Sequence, residues 1–139
     1  LRVSGRLADG TAIWMGGPRY IAEHAVPTIT AAAKEAGRPA PRIVAGLPIC
    51  VTDHETAVRA QCNADFERYG ELPSYRAVLD RQTSGTSPGE VALIGDEATV
   101  QAGLDELRAA GVTDFAASVY SPSGESSERT YALLRSQPA

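Results

Sequence analysis

The amino-acid sequence predicts an α/β protein whose parallel strands are joined by crossover helices. The segment RIVAGLPICV, residues 42–51, is almost continuously apolar, a pattern typical of a strand that is covered on both faces in a parallel sheet. Helical patterns separate it from two further apolar segments, 11–16 and 112–121. Strands that alternate with helices build parallel β/α units with right-handed crossovers.

The first third of the chain predicts a helix end, a strand and a long helix. Residues 1–8 carry apolar side chains at helical spacing, and Gly10 follows as the expected stop. The segment TAIWMG, 11–16, predicts the first strand, which ends at a Gly-Gly-Pro sequence. Apolar positions at helical spacing over 18–36 predict an amphipathic helix, which Pro27 is expected to kink or divide.

The middle of the chain, after the second strand, predicts two helices and a loop. Thr52 and Glu55 have the T-x-x-E spacing of a capping box, which predicts a helix from there through about Tyr69. A shorter helix is expected over 74–80. The polar segment QTSGTSPG, 82–89, predicts a loop without core-forming residues.

The last third predicts a helix, a strand and a final helix. Asp96 is the expected N-cap of a helix that ends at Gly111, since apolar residues inside it mark one helical face. The segment VTDFAASVYS, 112–121, predicts the third strand, and a helix is expected over 126–135.

Composition and charge exclude several classes of function. With 139 residues, 43% of them hydrophobic, the chain suits one domain with its own core, and its net charge of −4 with scattered cations argues against nucleic-acid binding. No apolar run approaches the roughly 20 residues of a membrane span, and no signal peptide is visible, so a cytoplasmic protein is expected. Cys50 and Cys62 lack metal-site spacing and are expected to be buried thiols. Asp65 is expected to be a solvated carboxylate.

The pattern of elements leaves two architectures open. Three parallel strands with helices fit either an open doubly wound sheet or a slice of an eight-stranded β/α barrel. A dinucleotide-binding open sheet would carry a GxGxxG turn, and this sequence has none. A complete barrel takes about 250 residues, so this chain would supply about half of one.

Two blocks of the sequence resemble a known family. The segments SGRLADG, 4–10, and GDEATV, 95–100, with AAGVTDF, 109–115, resemble the carboxyl-terminal half of luciferase-like monooxygenases, and within them the deazaflavin-dependent oxidoreductases. The one visible departure is Ser4, where the family usually has alanine.

The resemblance implies a fold and an activity. Residues 1–139 would be the C-terminal half of a (β/α)8 TIM barrel, containing its sixth, seventh and eighth strands and lacking the N-terminal half. The whole would be a flavin- or deazaflavin-dependent oxidoreductase that transfers a hydride with a deazaflavin (coenzyme F-420). An FMN-dependent monooxygenase of the same superfamily is the alternative. The fragment alone is expected to be inactive.

The resemblance also indicates where a pocket would lie. In the family the catalytic groups come from the first four strands, so no catalytic residue and no metal ligand is assigned here. Trp14, Met15, Gly16 and Gly17 lie at the carboxyl end of the sixth strand, and Tyr120 follows the eighth; these are the substrate- or cofactor-pocket candidates. A sugar-phosphate-oxidising relative holds a hydroxyl and a lysine at the positions of Trp14 and Gly17. The substrate expected here is therefore a flatter, more apolar small molecule.

Structural roles compete with these pocket assignments. Trp14 could cap the barrel core, the Gly-Gly-Pro sequence could be a plain turn or hold an anion on its N–H groups, and Tyr120 could lie on the surface. A different class also stays open, in which the chain is a non-catalytic half-barrel module for binding or assembly. Half a barrel exposes strand edges and an apolar inner face, so the isolated chain is expected to form a homo-oligomer.

Overall fold

The computed structural model describes residues 1–81, 87–122 and 127–138, which form a parallel sheet with helices on both faces. The strands are β1 (Gly10–Trp14), β2 (Arg42–Val51), β3 (Leu93–Gly95) and β4 (Asp114–Val119). The helices are α1 (Arg2–Leu7), α2 (Pro18–Tyr20), α3 (Val26–Glu35), α4 (Glu55–Asp65), α5 (Glu67–Glu71), α6 (Pro73–Leu79), α7 (Pro88–Val91), α8 (Glu97–Ala109) and α9 (Glu128–Arg135). A π-helical turn, Ile21–Ala25, joins α2 to α3.

Strand β2 is the centre of the sheet. It pairs in parallel with β1, β3 and β4, so the three strands predicted from the sequence lie side by side in one direction. Trp14, the last residue of β1, lies opposite Gly46 of β2, and Ala116 of β4 lies opposite Gly46 on the other edge. The predicted α/β architecture is confirmed.

Strand β3 is an element that the sequence reading missed. Ile49 of β2 pairs with Leu93 of β3 and with Val119 of β4, so these two strands occupy opposite edges of β2. β1 also pairs with the edge of β2 opposite to β4. β1 and β3 therefore pair with the same edge of β2, one after the other along its length. Three residues are too few to show the alternation that identifies a strand.

Pro48 lies inside β2, where a proline would normally remove a hydrogen bond of the sheet. Thr52 N donates to Gly95 O, which shows that the backbone groups of the even-numbered residues face the edge shared by β1 and β3. On that edge the pairing with β1 ends at Gly46 and the pairing with β3 begins at Ile49. The missing N–H of Pro48 therefore points into the gap between two strands.

The main core covers one face of the sheet. Ala45, Leu47 and Ile49 of β2 are fully buried and belong to one cluster with residues of the π-helical turn, α3 and α8. Cys50 points to the opposite face and packs with Cys62 of α4 in a second, smaller cluster. Both cysteines are buried and neither forms a disulfide, as expected, and burial raises the pKa of Cys62 to about 11.

Helix α4 is fastened to the segment that precedes β3. Arg59 donates to the carbonyl oxygens of Gly89, Ala92 and Ile94, at 2.5, 3.2 and 2.6 Å. Asn63 accepts from Gly89 N at 2.7 Å. These contacts hold α4 over the second half of β2, and the residues that follow α4 are positioned with it.

The capping box predicted at Thr52 is wrong. Thr52 is buried, and its Oγ1 accepts from the backbone N of His54 at 2.9 Å, so α4 begins only at Glu55. The predicted helix through Tyr69 is also interrupted, because α4 ends at Asp65 and α5 begins after Phe66.

The structure corrects the loop predicted over 82–89. Residues 82–86 lie outside the described part of the chain, but Pro88–Val91 form α7, in which Pro88 and Gly89 are buried. The capping box of this region is Ser87 with Glu90, whose carboxylate accepts from the Ser87 N at 3.2 Å.

The remaining boundaries follow the sequence closely. Asp96 accepts from Thr99 N at 2.8 Å and caps α8, as predicted, and α3 begins beside Pro27 after the π-helical turn, so the division of this helix is confirmed. Gly10 is not a helix stop, because it lies in β1. A Cβ there would come within 2.2 Å of the carbonyl oxygen of Arg42. The final helix begins at Glu128, and residues 123–126 are outside the described ranges.

One face of the sheet remains partly uncovered. Ala12 and Ala116, which lie on the same face as Trp14 and Gly46, are exposed, and Val44 between them is only partly buried. This face is the one that β2 turns away from the main core. The apolar inner face expected of a partial barrel is therefore exposed in its first half.

Substitution of Gly5 tests the packing of α1 on α3. A Cβ at Gly5 would lie 2.5 Å from the carbonyl oxygen of Ile29 and 2.9 Å from Cβ of Ala32, so Gly5→Ala should lower the free energy of unfolding by about 1–3 kcal/mol. Gly70→Ala is the control, since a Cβ there meets nothing within 4 Å. Urea unfolding measures both variants, and equal stability of the two would contradict the close contact.

Candidate functional site

Trp14 lies where β1 ends, on the partly uncovered face of the sheet. Its indole covers Gly46, since a Cβ added at Gly46 would come within 3.0 Å of the indole Cε3. A side chain at position 46 would therefore displace the ring. Met15 N still donates to Gly46 O at 3.0 Å, which keeps the backbone on both sides of the indole fixed to β2.

The backbone that follows Trp14 has two uncommon features. Met15 has a φ of 60°, in the left-handed region that residues other than glycine rarely adopt. The helix that begins at Pro18 then widens into a π-helical turn over Ile21–Ala25. Strained residues and π-helical turns both concentrate at functional sites, so these features single out the carboxyl end of β1.

The other candidates that follow β1 have structural roles. The Met15 side chain is fully buried in the main core and faces away from the uncovered side of the sheet. Gly16 is also buried, and a Cβ there would lie 2.5 Å from Cγ2 of Ile13. Gly17 precedes α2 with an extended backbone, and its carbonyl oxygen accepts from Ile21 N. These three residues set the direction of the chain beside Trp14.

Trp14 is one member of an aromatic cluster, which we define as Trp14, Phe66, Tyr69, Tyr75 and Tyr120. The Trp14 ring lies 6.2 Å from the rings of both Phe66 and Tyr69, at 64° and 63°. Phe66 lies 5.8 Å from Tyr120, and Tyr69 lies 4.8 Å from Tyr75. The structure thus brings together Trp14 and Tyr120, two candidates that are 106 positions apart in the sequence.

Tyr120 is held by a carboxylate. Its hydroxyl donates to Oδ2 of Asp65 at 2.5 Å, and Gln61 also donates to Asp65, at 2.7 Å. The hydrogen bond from Tyr120 is the largest cause of a lowered pKa of Asp65. Burial, and then the same bond, raise the pKa of Tyr120. Asp65 is exposed to solvent, as expected from the sequence, and it also anchors the chain after β4 through its bond from Tyr120.

The indole nitrogen of Trp14 is buried and has no hydrogen-bond partner among the described residues. Buried donors in native proteins nearly always have an acceptor, because an unsatisfied one keeps the full cost of losing water. The indole N–H is therefore a buried donor of this aromatic cluster whose bonding capacity remains unused among the described residues.

The sequence reading missed Phe66, Tyr69 and Tyr75 as members of the site. The signal available was their number, since three of the seven Phe and Tyr residues of the chain fall within ten positions. The predicted helix through Tyr69 hid the role of Phe66, because the pattern gave no sign of a break there. At that break the Phe66 ring contacts the rings of both Trp14 and Tyr120.

Cavities also lie away from the aromatic cluster in the described part of the chain. A groove of about 530 Å³ lies beside the first residues of β4, and is lined by Leu134 and Pro138 among others. A cleft of about 360 Å³ contains Arg19, His24 and Arg81, and burial is the largest cause of a lowered pKa of His24. In the cleft, the Glu23 carboxylate already accepts from Arg19. We assign no function to the groove or to the cleft.

Two further kinds of feature are not found in the ranges that the structure describes. No group of three or more His, Cys, Asp or Glu side chains there could hold a metal ion. None of the helices in those ranges is long and apolar enough to cross a membrane.

Comparison with known proteins identifies relatives. The sequence profile of the luciferase-like monooxygenases matches residues 1–122. No curated protein sequence matches the chain. The fold is similar to a coenzyme F420 dependent tetrahydromethanopterin reductase from Methanopyrus kandleri, with a TM-score of 0.60 and 23% identity over 88% of this chain. It is also similar to an F420-dependent secondary alcohol dehydrogenase in complex with an F420-acetone adduct, with a TM-score of 0.62 and 14% identity over 95% of this chain.

The extent of these matches confirms two expectations. The chain spans 43% and 42% of the length of those two solved chains, as a portion of a TIM barrel would. The resemblance drawn from the segments 4–10 and 95–115 is confirmed by the family match. At such low identities the likeness to the two structures concerns the fold alone.

Replacing Tyr120 with Phe tests the anchor at Asp65. The pKa of Asp65 should rise, because the largest cause of its lowering is removed while the ring stays beside Phe66. A lowered pKa in the folded state stabilises the fold above the pKa of the unfolded state, and this contribution is lost as the pH falls through the folded-state value. Y120F should therefore unfold at less urea than the native chain at neutral pH, and the difference should narrow in acid.

An NMR titration of the Asp65 carboxyl carbon measures the shift directly. Tyr131→Phe is the matched control, because Tyr131 is exposed on α9 and its loss of a hydroxyl should leave Asp65 unchanged. The same Asp65 pKa in Y120F and in the native chain would contradict the assigned bond.

Proposed function

Because this chain belongs to the luciferase-like monooxygenase family, we propose that it supplies one wall of the cofactor and substrate pocket of a deazaflavin-dependent oxidoreductase that transfers a hydride. Both similar solved proteins carry F420 in their names, which supports a deazaflavin over other redox cofactors. We expect the chain alone to bind without turnover, since no catalytic acid or base is assigned among its described residues.

One observation carries this proposal, the position of Trp14. It ends a strand of a parallel β/α sheet on the partly uncovered face, where it is only partly buried against the main core. β/α barrels bind their ligands at the carboxyl ends of their strands. The indole N–H of Trp14 is buried without a partner among the residues described, and the next residue has a left-handed backbone. A ring that only filled the core would need neither feature.

The residues present fit a planar cofactor. A flat ring system is bound by apolar and aromatic surface with a few well-placed polar groups, and the aromatic cluster supplies both through its rings and the Trp14 N–H. A deazaflavin, when bound, supplies the hydride chemistry itself. The part of this chain would be to orient the ring and to exclude water. No described residue is assigned as a catalytic acid or base.

An FMN-dependent monooxygenase is the second candidate. The family's description as monooxygenases favours it, and the aromatic cluster would accept either ring system. Binding of each cofactor to the same preparation decides between them, since the proposal expects the tighter binding for the deazaflavin.

The uncovered face of the sheet also supports a proposal about partners. Ala12 and Ala116 are exposed on it, and an exposed apolar sheet face favours association. In the relatives, more than half of the chain length has no counterpart here. We propose that complementary β/α units of the same barrel cover this face, and that a second copy of the chain does so in their absence. A non-catalytic assembly module would show the same association without cofactor binding.

Titration with a deazaflavin, followed by the fluorescence of the cofactor, tests the proposed function. The native chain should bind it, and Trp14→Ala should bind roughly tenfold more weakly, because an aromatic contact and its buried area are lost. Tyr131→Ala is the control, since it removes an exposed aromatic ring of α9. Equal affinities of native, Trp14→Ala and Tyr131→Ala chains would contradict the pocket, and tighter binding of FMN would contradict the assignment of a deazaflavin.

Light scattering at several concentrations tests the proposed association. The isolated chain should form oligomers that dissociate on dilution, and Ala116→Lys should shift the equilibrium to the monomer, because it puts a charge on the uncovered face. Ala109→Lys, at an exposed position near the end of α8, should leave the oligomer intact. A native monomer at every concentration would contradict the association.

A further inference from the structure

The unused donor of Trp14 indicates what kind of molecule this pocket would take. Indole nitrogen donates one hydrogen bond and accepts none. In the described structure the Trp14 indole nitrogen is buried and donates to no oxygen or nitrogen atom. The ligand that completes this site therefore brings an acceptor atom to the indole edge.

The immediate surroundings of the indole are apolar rings. Phe66 and Tyr69 both meet Trp14 at steep angles with their centroids 6.2 Å away, and ring faces are only weak acceptors of an N–H. Phe66 lies at the break between α4 and α5, outside the interior of either helix. Rotation of this side chain would open the indole edge without disrupting a helix.

We propose that Trp14 determines specificity by donating its Nε1–H to a carbonyl oxygen at the edge of a planar, uncharged ligand. This rests on the proposed function, because it names the substrate class of the same site. A carbonyl oxygen accepts the bond without adding a hydrogen that itself needs an acceptor. An anionic ligand would lose its hydration among the aromatic rings and would lie near the Asp65 carboxylate that accepts from Tyr120. The turned ring of Phe66 then packs against one face of the ligand, while the indole edge meets the carbonyl-bearing edge of the ligand.

Two small bicyclic probes separate the hydrogen bond from apolar contact. 1-Indanone and indane have nearly the same shape, and only 1-indanone carries a carbonyl oxygen. The native chain should bind 1-indanone about two- to tenfold more tightly than indane, as expected for one net hydrogen bond. Because Trp14 is the single tryptophan of the chain, its indole N–H gives one NMR resonance, which should move downfield with 1-indanone and not with indane.

Trp14→Phe removes the N–H and keeps an aromatic ring over Gly46. This variant should bind both probes equally, with the affinity for indane little changed. Tyr131→Phe, at an exposed position of α9, should keep the native preference for 1-indanone. Circular dichroism of each variant shows that the fold is retained, and Trp14→Tyr replaces Trp14→Phe if that chain does not fold.

Three results would overturn the inference: equal binding of both probes by the native chain, an unchanged preference in Trp14→Phe, and no binding of either probe. The proposed function fails separately, because it depends on deazaflavin binding. A chain that binds the deazaflavin but shows no carbonyl preference keeps the function and loses this inference. A chain that prefers 1-indanone but does not bind the deazaflavin supports the proposed role of Trp14 and contradicts the proposed function.

Discussion

The parallel pairing of β2 with three other strands is the constraint on which the rest of the structure depends. Its ten residues fix the positions of β1, β3 and β4, and through them the ends of the strands at which a pocket can form. Its sequence meets three demands at once. Its apolar side chains pack on both faces of the sheet. Pro48, which has no backbone N–H, lies where neither β1 nor β3 needs a hydrogen bond from it, and Gly46 has no side chain that would displace the indole of Trp14.

The room above Gly46 connects the sheet to the candidate site. Trp14 lies there because β1 ends at the level of Gly46, five residues before β2 ends. The break after α4 then brings Phe66 and Tyr69 to the indole, and Arg59 holds α4 in the position from which they reach it. The aromatic cluster therefore depends on backbone contacts made far from it, in the segment that precedes β3.

Much of the fold could be predicted from the sequence, since it follows from local patterns. The long apolar run of β2, the N-cap Asp96 and the helix division near Pro27 are features that one segment shows by itself. The prediction of a capping box at Thr52 was wrong although the spacing fits. The threonine hydroxyl accepts from the backbone N of His54, in the turn before the helix. The sequence did not predict β3, because its three residues form a strand by pairing with β2 and show no strand pattern of their own.

The candidate site was predictable only in part. Trp14 could be placed from its position at the end of a strand, and Tyr120 from its position after another. Their common membership of one cluster depends on Phe66, which lies between them in space and whose helix break leaves no clear sequence signal. The bond from Tyr120 to Asp65 joins residues 55 positions apart, and the unused indole donor is a property of the packed structure alone.

The most direct measurement of the central claim is a set of intermolecular nuclear Overhauser effects between the chain and a bound deazaflavin. The single tryptophan makes the indole protons easy to assign. We expect contacts from the cofactor ring to Trp14 and to Phe66. Contacts confined to Leu134 and Pro138, in the groove beside the start of β4, with none to Trp14, would contradict the account.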